Sequence, residues 1–308
     1  MNPESSKDRF ANESHARYEA SIVIPLLRQV DEWLDRSVLS ALEQTAESEV
    51  VVVASPMTPA SNLEILDKLG RRYPQLICIE REPHMRFAAA VNLGIRTAHA
   101  RRVGLLFSDD WLDPRAVELT LAEDADIVST AMLVFAANGT TVLKELSYPK
   151  TNRHLQQLGT LHEKASYLGH FFLFRRAALD MVTGLDETLG DTPGVDDFDM
   201  IWCMLERGAT AVIVEHALYN CRDHDGERLT TRRIDEMVAT FRGILDKHGV
   251  GGELAAQLMR DHSPWFGRPL LAVHRELQVE RTAAEAASRG QSLGGRIIRM
   301  LRVWSNRN

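Results

Sequence analysis

Three stretches of the chain concentrate residues able to hold a cation or move a proton. The first is Phe107-Ser108-Asp109-Asp110-Trp111-Leu112-Asp113-Pro114, where adjacent carboxylates directly follow an apolar run. Hard oxygen donors there suit Mg²⁺ or Mn²⁺, which could bridge to the phosphates of a nucleotide. The same carboxylates would also serve to cap a helix entered at Pro114. Asp113 is assigned to the cap and Asp109 to the metal, with Asp110 beside it. The second stretch is Val195-Asp196-Asp197-Phe198-Asp199-Met200. Carboxylates at a helix start are favoured by the helix dipole. Crowded together they also repel, which raises at least one pKa toward the range of a general base. The third stretch, Tyr219-Asn220-Cys221-Arg222-Asp223-His224-Asp225-Gly226, carries one histidine in a polar, glycine-containing segment. His224 fits a metal or phosphate ligand, or equally a solvated surface residue. Arg222 could reach phosphate or acceptor.

The elements that must position these groups alternate in type. Ala20 to Pro25 is a short apolar run ending at a proline, as a buried parallel strand does. A helical pattern through Trp33, Val38, Leu39 and Leu42 follows. Glu49 to Ala54 is a second buried strand, closed by a loop at Ser55-Pro56. Helices are predicted over Asn62–Tyr73 and Ala88–His99, and strands over Leu76–Glu80 and Val103–Phe107. Such alternation implies right-handed crossovers and a mainly parallel sheet covered on both faces. Ligands in these sheets lie beyond the carboxyl ends of the strands. Ser55, Arg81–Arg86 and Ser108–Asp110 are therefore placed on one rim. Further on, Ile127–Phe135 reads as a strand leading to a turn at Asn138-Gly139. His170–Phe174 and Ala211–Val214 read as strands, and Asp197–Arg207 as a helix stopped by Gly208.

The formal net charge of −7 excludes a general nucleic-acid binder, which needs a basic surface. Cys78, Cys203 and Cys221 form no CxxC pair, and an odd, scattered set fits a reducing compartment. Residues 1–19 are polar, with no signal-peptide core, and no apolar stretch is long enough to span a bilayer. A cytoplasmic protein is the expectation. Near the end, Arg296, Arg299 and Arg302 alternate with Ile297, Ile298, Leu301 and Trp304. This basic amphipathic pattern over 290–308 suits peripheral contact with an anionic membrane face, or packing on its own domain or a homodimer partner.

Taken in order, these pieces resemble the family 2 glycosyltransferases. The likeness rests on Ser21-Ile22-Val23-Ile24-Pro25, Leu39 to Gln44, Asn92-Leu93-Gly94-Ile95 and Leu106-Phe107-Ser108-Asp109-Asp110. It continues in Gly169 to Arg176, Gly184-Leu185-Asp186-Glu187, Asp196-Asp197-Phe198-Asp199 and Tyr219 to His224. The resemblance implies an α/β GT-A fold over 20–231, a tail over 1–19 and a helical extension over 232–308. It implies an inverting transfer from a UDP-, GDP- or dTDP-linked sugar to a hydroxyl acceptor, assisted by Mg²⁺ or Mn²⁺. Asp197 would be the base, with Asp196 or Asp199 orienting it or the acceptor. Asp109, Asp110 and His224 would hold the metal. Donor contacts are expected from Pro25, Ser55, Arg86, Asn92, Ser108 and Arg222, and acceptor contacts from His170 and Trp111.

Two positions depart from the family pattern. The second strand ends Val53-Ala54-Ser55-Pro56 with no base-reading aspartate, and Phe107 stands where the metal motif usually opens with another aspartate. Both fall on the donor side and leave donor identity open, and they are the best argument for a catalytically impaired binding protein. The processive Gln-x-x-Arg-Trp signature is absent, which points to single additions. A nucleotidyltransferase is disfavoured because Leu26-Leu27-Arg28, not a Gly-rich phosphate loop, follows the first strand.

Overall fold

The computed structural model describes residues 18–147, 149–189, 195–226 and 234–284. Residues 1–17 of the expected tail over 1–19, the boundary at 231/232 and the basic segment over 290–308 lie outside the described residues.

The valine-rich run at the second predicted strand shows why a continuous apolar segment folds as it does here. β1 (Ala20–Leu26) and β2 (Ser48–Ala54) pair in parallel from Ala20↔Ser48 to Leu26↔Ala54. Successive side chains in a strand point to opposite faces. Val23, Val51 and Val53 therefore enter one core, while Ile22, Ile24, Val50 and Val52 enter the other, all fully buried. Each such side chain contributes about 1.5–3 kcal/mol of transfer free energy. Helices must then cover both faces. α1 (Asp31–Leu42) and α2 (Ala60–Arg72) lie on the second face, and α3 (Phe87–Thr97) covers the first. In α3, a Cβ at Gly94 would stand 2.4 Å from Val23, so only glycine lets the helix lie this close to β1.

Among the described residues one sheet of eight strands has the order β3-β2-β1-β4-β7-β6-β8-β5. Its remaining strands are β3 (Leu76–Glu80), β4 (Arg102–Leu105), β5 (Trp111–Leu112), β6 (Ile127–Ala136), β7 (Phe172–Arg175) and β8 (Ala211–Asp223). β1 to β4 form the parallel half. β7 runs antiparallel between β4 and β6, and β8 lies parallel to β6. The carboxyl ends of β1, β2, β4 and β8 and the amino end of β7 thus share one rim.

β8 is much longer than the apolar run Ala211–Val214 predicts. It reaches Asp223 because Tyr219–Asp223 pair with Met132–Ala136 of β6, and Asn220 and Tyr219 also pair with Trp111 and Leu112 of β5. The expected polar loop around His224 is in fact a strand end, and His224 is buried. The turn at Asn138-Gly139 forms as predicted, closed by an antiparallel bridge between Phe135 and Val142.

Four shorter helices follow: α4 (Ala116–Leu121), α5 (Asn152–Gln157), α6 (Leu161–Tyr167) and α7 (Arg176–Val182). α8 (Asp196–Glu206) comes next, then α9 (Ile234–Lys247) and α10 (Gly252–His262). α9 buries Met237, Phe241, Ile244 and Leu245 in the same core as Met200, Met204 and Trp202 of α8. α8 and α9 therefore share one core. No helix among the described residues is long and apolar enough to cross a membrane.

Candidate active site

Two carboxylate–histidine pairs stand on the rim. Asp109 follows β4, and its Oδ2 is 3.1 Å from Nε2 of His224, which follows β8. Asp197 sits in the first turn of α8, and its Oδ2 is 3.0 Å from Nε2 of His170, just before β7. Phe107 and Tyr219 both pack on the His170 ring, and Tyr219 also reaches Asp110, next to Asp109. The Phe107 ring meets His170 edge-on at 4.8 Å, and the Tyr219 ring lies 5.3 Å from His170. Tyr219 also donates its hydroxyl proton to Asp110 Oδ2 at 2.6 Å.

Asp110 is held by β8 on both oxygens, since the Arg222 amide donates to its Oδ1 at 2.7 Å. It is buried, and it fixes the turn from which Asp109 projects. Burial, followed by the charges of Asp110 and Asp109, pushes the Tyr219 phenol well above its ordinary pKa, which keeps it a neutral donor. Arg222 is likewise engaged. Its Nε donates to the Asp109 carbonyl at 3.0 Å, and its Nη1 to the Ala137 carbonyl at 2.8 Å. The guanidinium lies over Trp33 at 4.5 Å and Trp111 at 5.0 Å, and Arg36 covers Trp111 at 3.5 Å. Trp33 also packs on the His224 ring at 4.8 Å. This cation–aromatic stack rigidifies the Asp109–His224 pair. Trp111, expected at the acceptor, is buried inside it.

The acidic start of α8 divides by direction. Asp196 is buried, and its Oδ1 accepts from the Asp197 amide at 3.0 Å, while Asp197 Oδ1 accepts from the Phe198 amide at 2.8 Å. Asp196 and Asp197 line a small cleft with Pro25, Phe87, Phe107 and Leu185. Repulsion within the cluster suggested a raised pKa, but that of Asp197 is lowered. Burial does push it up; the hydrogen bond and charge of His170, with backbone amides, outweigh that and keep the carboxylate ionised.

Asp199 points elsewhere. Its Oδ2 accepts from Lys247 Nζ at 2.8 Å and its Oδ1 meets His248 Nε2 at 3.0 Å, both from the end of α9. The His248 ring stacks on Trp202 at 3.9 Å, and its Nδ1 meets Glu206 at 2.7 Å. Asp199, Cys203 and His248 place three ligand atoms within 4.8 Å of one another, but the two cations on Asp199 already occupy the carboxylate a metal would need. The cluster is a latch between α8 and α9.

Of the residues expected at the donor, Asn92 is spent on a clamp. Its amide donates to the Leu185 carbonyl at 2.8 Å and to Glu187 at 2.9 Å, and it accepts from the Leu185 amide at 2.8 Å. Gly184, with φ of +80°, makes room for it, because a Cβ there would fall 2.2 Å from Asn92 Oδ1. Ser55 is buried at the end of β2 and accepts from the Met57 amide at 3.2 Å and from Arg81 at 3.4 Å. Ser108 accepts from Gln29 at 3.3 Å, and Arg86 is exposed at the start of α3. Sequence reasoning missed Trp33, Arg36 and Tyr219 as supports, since aromatic residues at helix and strand spacing carry no mark of what they stack on.

Residues 21–182 match the family model described as Glycosyl transferase family 2. The chain belongs to glycosyl transferase family 2. The match ends before α8, so the Asp196-Asp197 pair lies beyond it. Among curated proteins the chain is 29% identical over 194 residues to a chondroitin synthase of Pasteurella multocida, covering 61% of this chain. It is 27% identical over 221 residues to the chondroitin synthase of Escherichia coli, covering 70% of this chain. It spans only 19% and 30% of those two relatives' own lengths. Solved structures with the same fold include S. aureus TarS 1-349 in complex with UDP-GlcNAc, with TM-score 0.56 and 17% identity. That likeness covers 77% of this chain and 69% of the other. A second is the mannosyltransferase PcManGT of Pyrobaculum calidifontis in complex with GDP-Man and Mn²⁺, with TM-score 0.56 and 18% identity. It covers 91% of this chain and 81% of that one. The fold of this family 2 member is thus the GT-A α/β arrangement.

Proposed function

We propose that this chain transfers a single sugar from a nucleotide-sugar donor to a hydroxyl acceptor, with inversion at the anomeric carbon. The observation that carries the reading is the pair of bridged carboxylate–histidine couples on one rim, Asp109–His224 and Asp197–His170. Asp197 takes the proton of the acceptor hydroxyl as its oxygen bonds to the anomeric carbon. The bond from that carbon to the diphosphate breaks with its electron pair leaving on the phosphate oxygen. His170 holds the carboxylate in place and keeps it ionised, so base and acceptor oxygen are aligned before reaction.

A divalent cation fits Asp109 and His224. A carboxylate oxygen and an imidazole nitrogen converge there, and that donor set suits Mn²⁺ or Mg²⁺. The second imidazole nitrogen of His224 is buried with no hydrogen-bond partner among the described residues, and the ring is held by packing on Trp33. Bound there, the ion would offset charge growing on the leaving diphosphate. Asp110 and Arg222 act behind this pair as positioning residues, and Asp199 as an anchor of α8. The neighbour with GDP-Man and Mn²⁺ supports a metal and a nucleotide sugar for this fold. A UDP-, GDP- or dTDP-sugar is the proposed donor class.

The test is transfer from a panel of nucleotide sugars with Mn²⁺, together with calorimetric donor binding. Asp197→Asn should bind donor and lose transfer, and Asp109→Ala should lose metal-dependent donor binding. Wild-type turnover in both variants would overturn the proposal.

A further inference from the structure

One buried cation, packed against the residue that precedes His170, has no assigned role. Lys150, on the segment leading into α5, is 7% exposed. Its ammonium has no hydrogen-bond acceptor and no carboxylate at ion-pair distance among the described residues. The nearest compensating group is the Tyr167 ring, at 5.8 Å. The ammonium presses against the backbone at Gly169, where an added Cβ would fall 2.2 Å from Nζ. Glycine at 169 is therefore what admits the amine at this point, one residue before His170. Gly169 is itself fixed, its amide donating to Ser129 Oγ at 3.0 Å and its carbonyl accepting from the same hydroxyl at 2.7 Å. The next ring, that of His170, has Nδ1 buried with no partner among the described residues, while Nε2 meets Asp197.

An unpaired buried ammonium is costly, because desolvation is not returned by any counter-charge. Burial alone pulls its pKa down to about 8, so it still carries charge near neutrality. A buried group displaced from its ordinary charge state marks a candidate functional site. Gly169 and His170 alone separate the ammonium from Asp197 along the chain of contacts; a ligand anion would be drawn to Lys150 and repelled by Asp197, which would leave the acceptor hydroxyl toward the base.

We propose that Lys150 forms an anion subsite on the acceptor side, recognising a carboxylate or phosphate carried by the acceptor near its attacking hydroxyl. The inference rests on Asp197 marking the acceptor side, as argued above.

The experiment is calorimetric binding of three probes to the full chain: methyl glucuronide, the uncharged methyl glucoside, and glucose 6-phosphate. Wild type should favour at least one acid over the glucoside by about tenfold or more, the worth of a charge-assisted hydrogen bond. The favoured acid tells carboxylate from phosphate. Lys150→Met should abolish the preference and raise the melting midpoint of the free protein, since an unpaired buried charge is gone. Lys150→Arg should keep part of the preference. In wild type the preference should fade as pH rises through about 8, a reading that stands if Lys150→Met does not fold. No acid preference in wild type, or one that survives Lys150→Met, overturns the subsite. Because these are binding measurements, they are independent of whether Asp197→Asn abolishes transfer, the result on which the catalytic reading depends.

Discussion

Replacing Asp199 with alanine separates the latch from the chemistry. Asp199 lies two residues from the proposed base, yet its carboxylate is 1% exposed and takes Lys247 and His248 as partners. Removing one member of a buried ion pair costs about 3–5 kcal/mol, because the remaining charge is left without compensation. Here the lower end applies. Lys247 keeps Asp186 at 2.8 Å and is over a third exposed, and His248 keeps Glu206 at 2.7 Å. A loss of about 3 kcal/mol corresponds to a fall in melting midpoint of about 5 °C for a chain of this size. The assay is differential scanning calorimetry alongside transfer kinetics at a temperature well below the variant's midpoint. Asp199→Ala should melt early and still turn over, whereas Asp197→Asn should melt near wild type and not turn over. A wild-type midpoint for Asp199→Ala, or a kcat/KM loss as deep as that of Asp197→Asn, would refute the assignment of Asp199 to the latch.

Three other outcomes follow from the same contacts. His170→Phe removes the group that outweighs burial at Asp197, so the base protonates at higher pH; the acid limb of kcat/KM against pH should move upward, and an unmoved limb would contradict the pairing. At His248 burial acts to lower the pKa, but Asp199, Cys203 and Glu206 push it up to about 10, above its unfolded value of about 6.5. Its stabilisation is therefore complete below about pH 6.5 and lost as pH rises through 10, and urea midpoints of His248→Gln should be flatter than wild type over that window. Gly184→Ala places a Cβ on Asn92 Oδ1 and forces a left-handed alanine; the combined cost of about 2–5 kcal/mol should appear as a lower denaturant midpoint with an unchanged m-value.

The parallel half of the fold was legible in sequence because its strands are buried on both faces and read as unbroken apolar runs. Val50 to Val53 can hardly be anything else. β8 was not legible past Val214, because its later residues are polar and become a strand only through pairing with β6 and β5. That single misjudged element also hid the burial of His224 and the bond from Tyr219 to Asp110. Local pattern reports what a segment does with solvent and core; it does not report which distant strand will supply its hydrogen bonds.

The same limit explains why residue type alone marks the acidic motifs but does not tell their members apart, a division that only the family resemblance offers. Asp196, Asp197 and Asp199 are indistinguishable by type and lie within one helical turn, where the dipole favours all of them equally. What separates them is the angle at which each leaves α8. Asp197 meets His170 across the cleft, and Asp199, two residues on, faces α9. The partners come from residues 170, 247 and 248, too far along the chain for any spacing rule to join them. The two lysines invert the lesson. Lys247 stands out in the structure because it is doubly paired, and Lys150 because a buried cation with no partner among the described residues gains nothing from its burial in the free protein. A charge kept where it lowers stability points to a ligand more strongly than one whose partners already account for it.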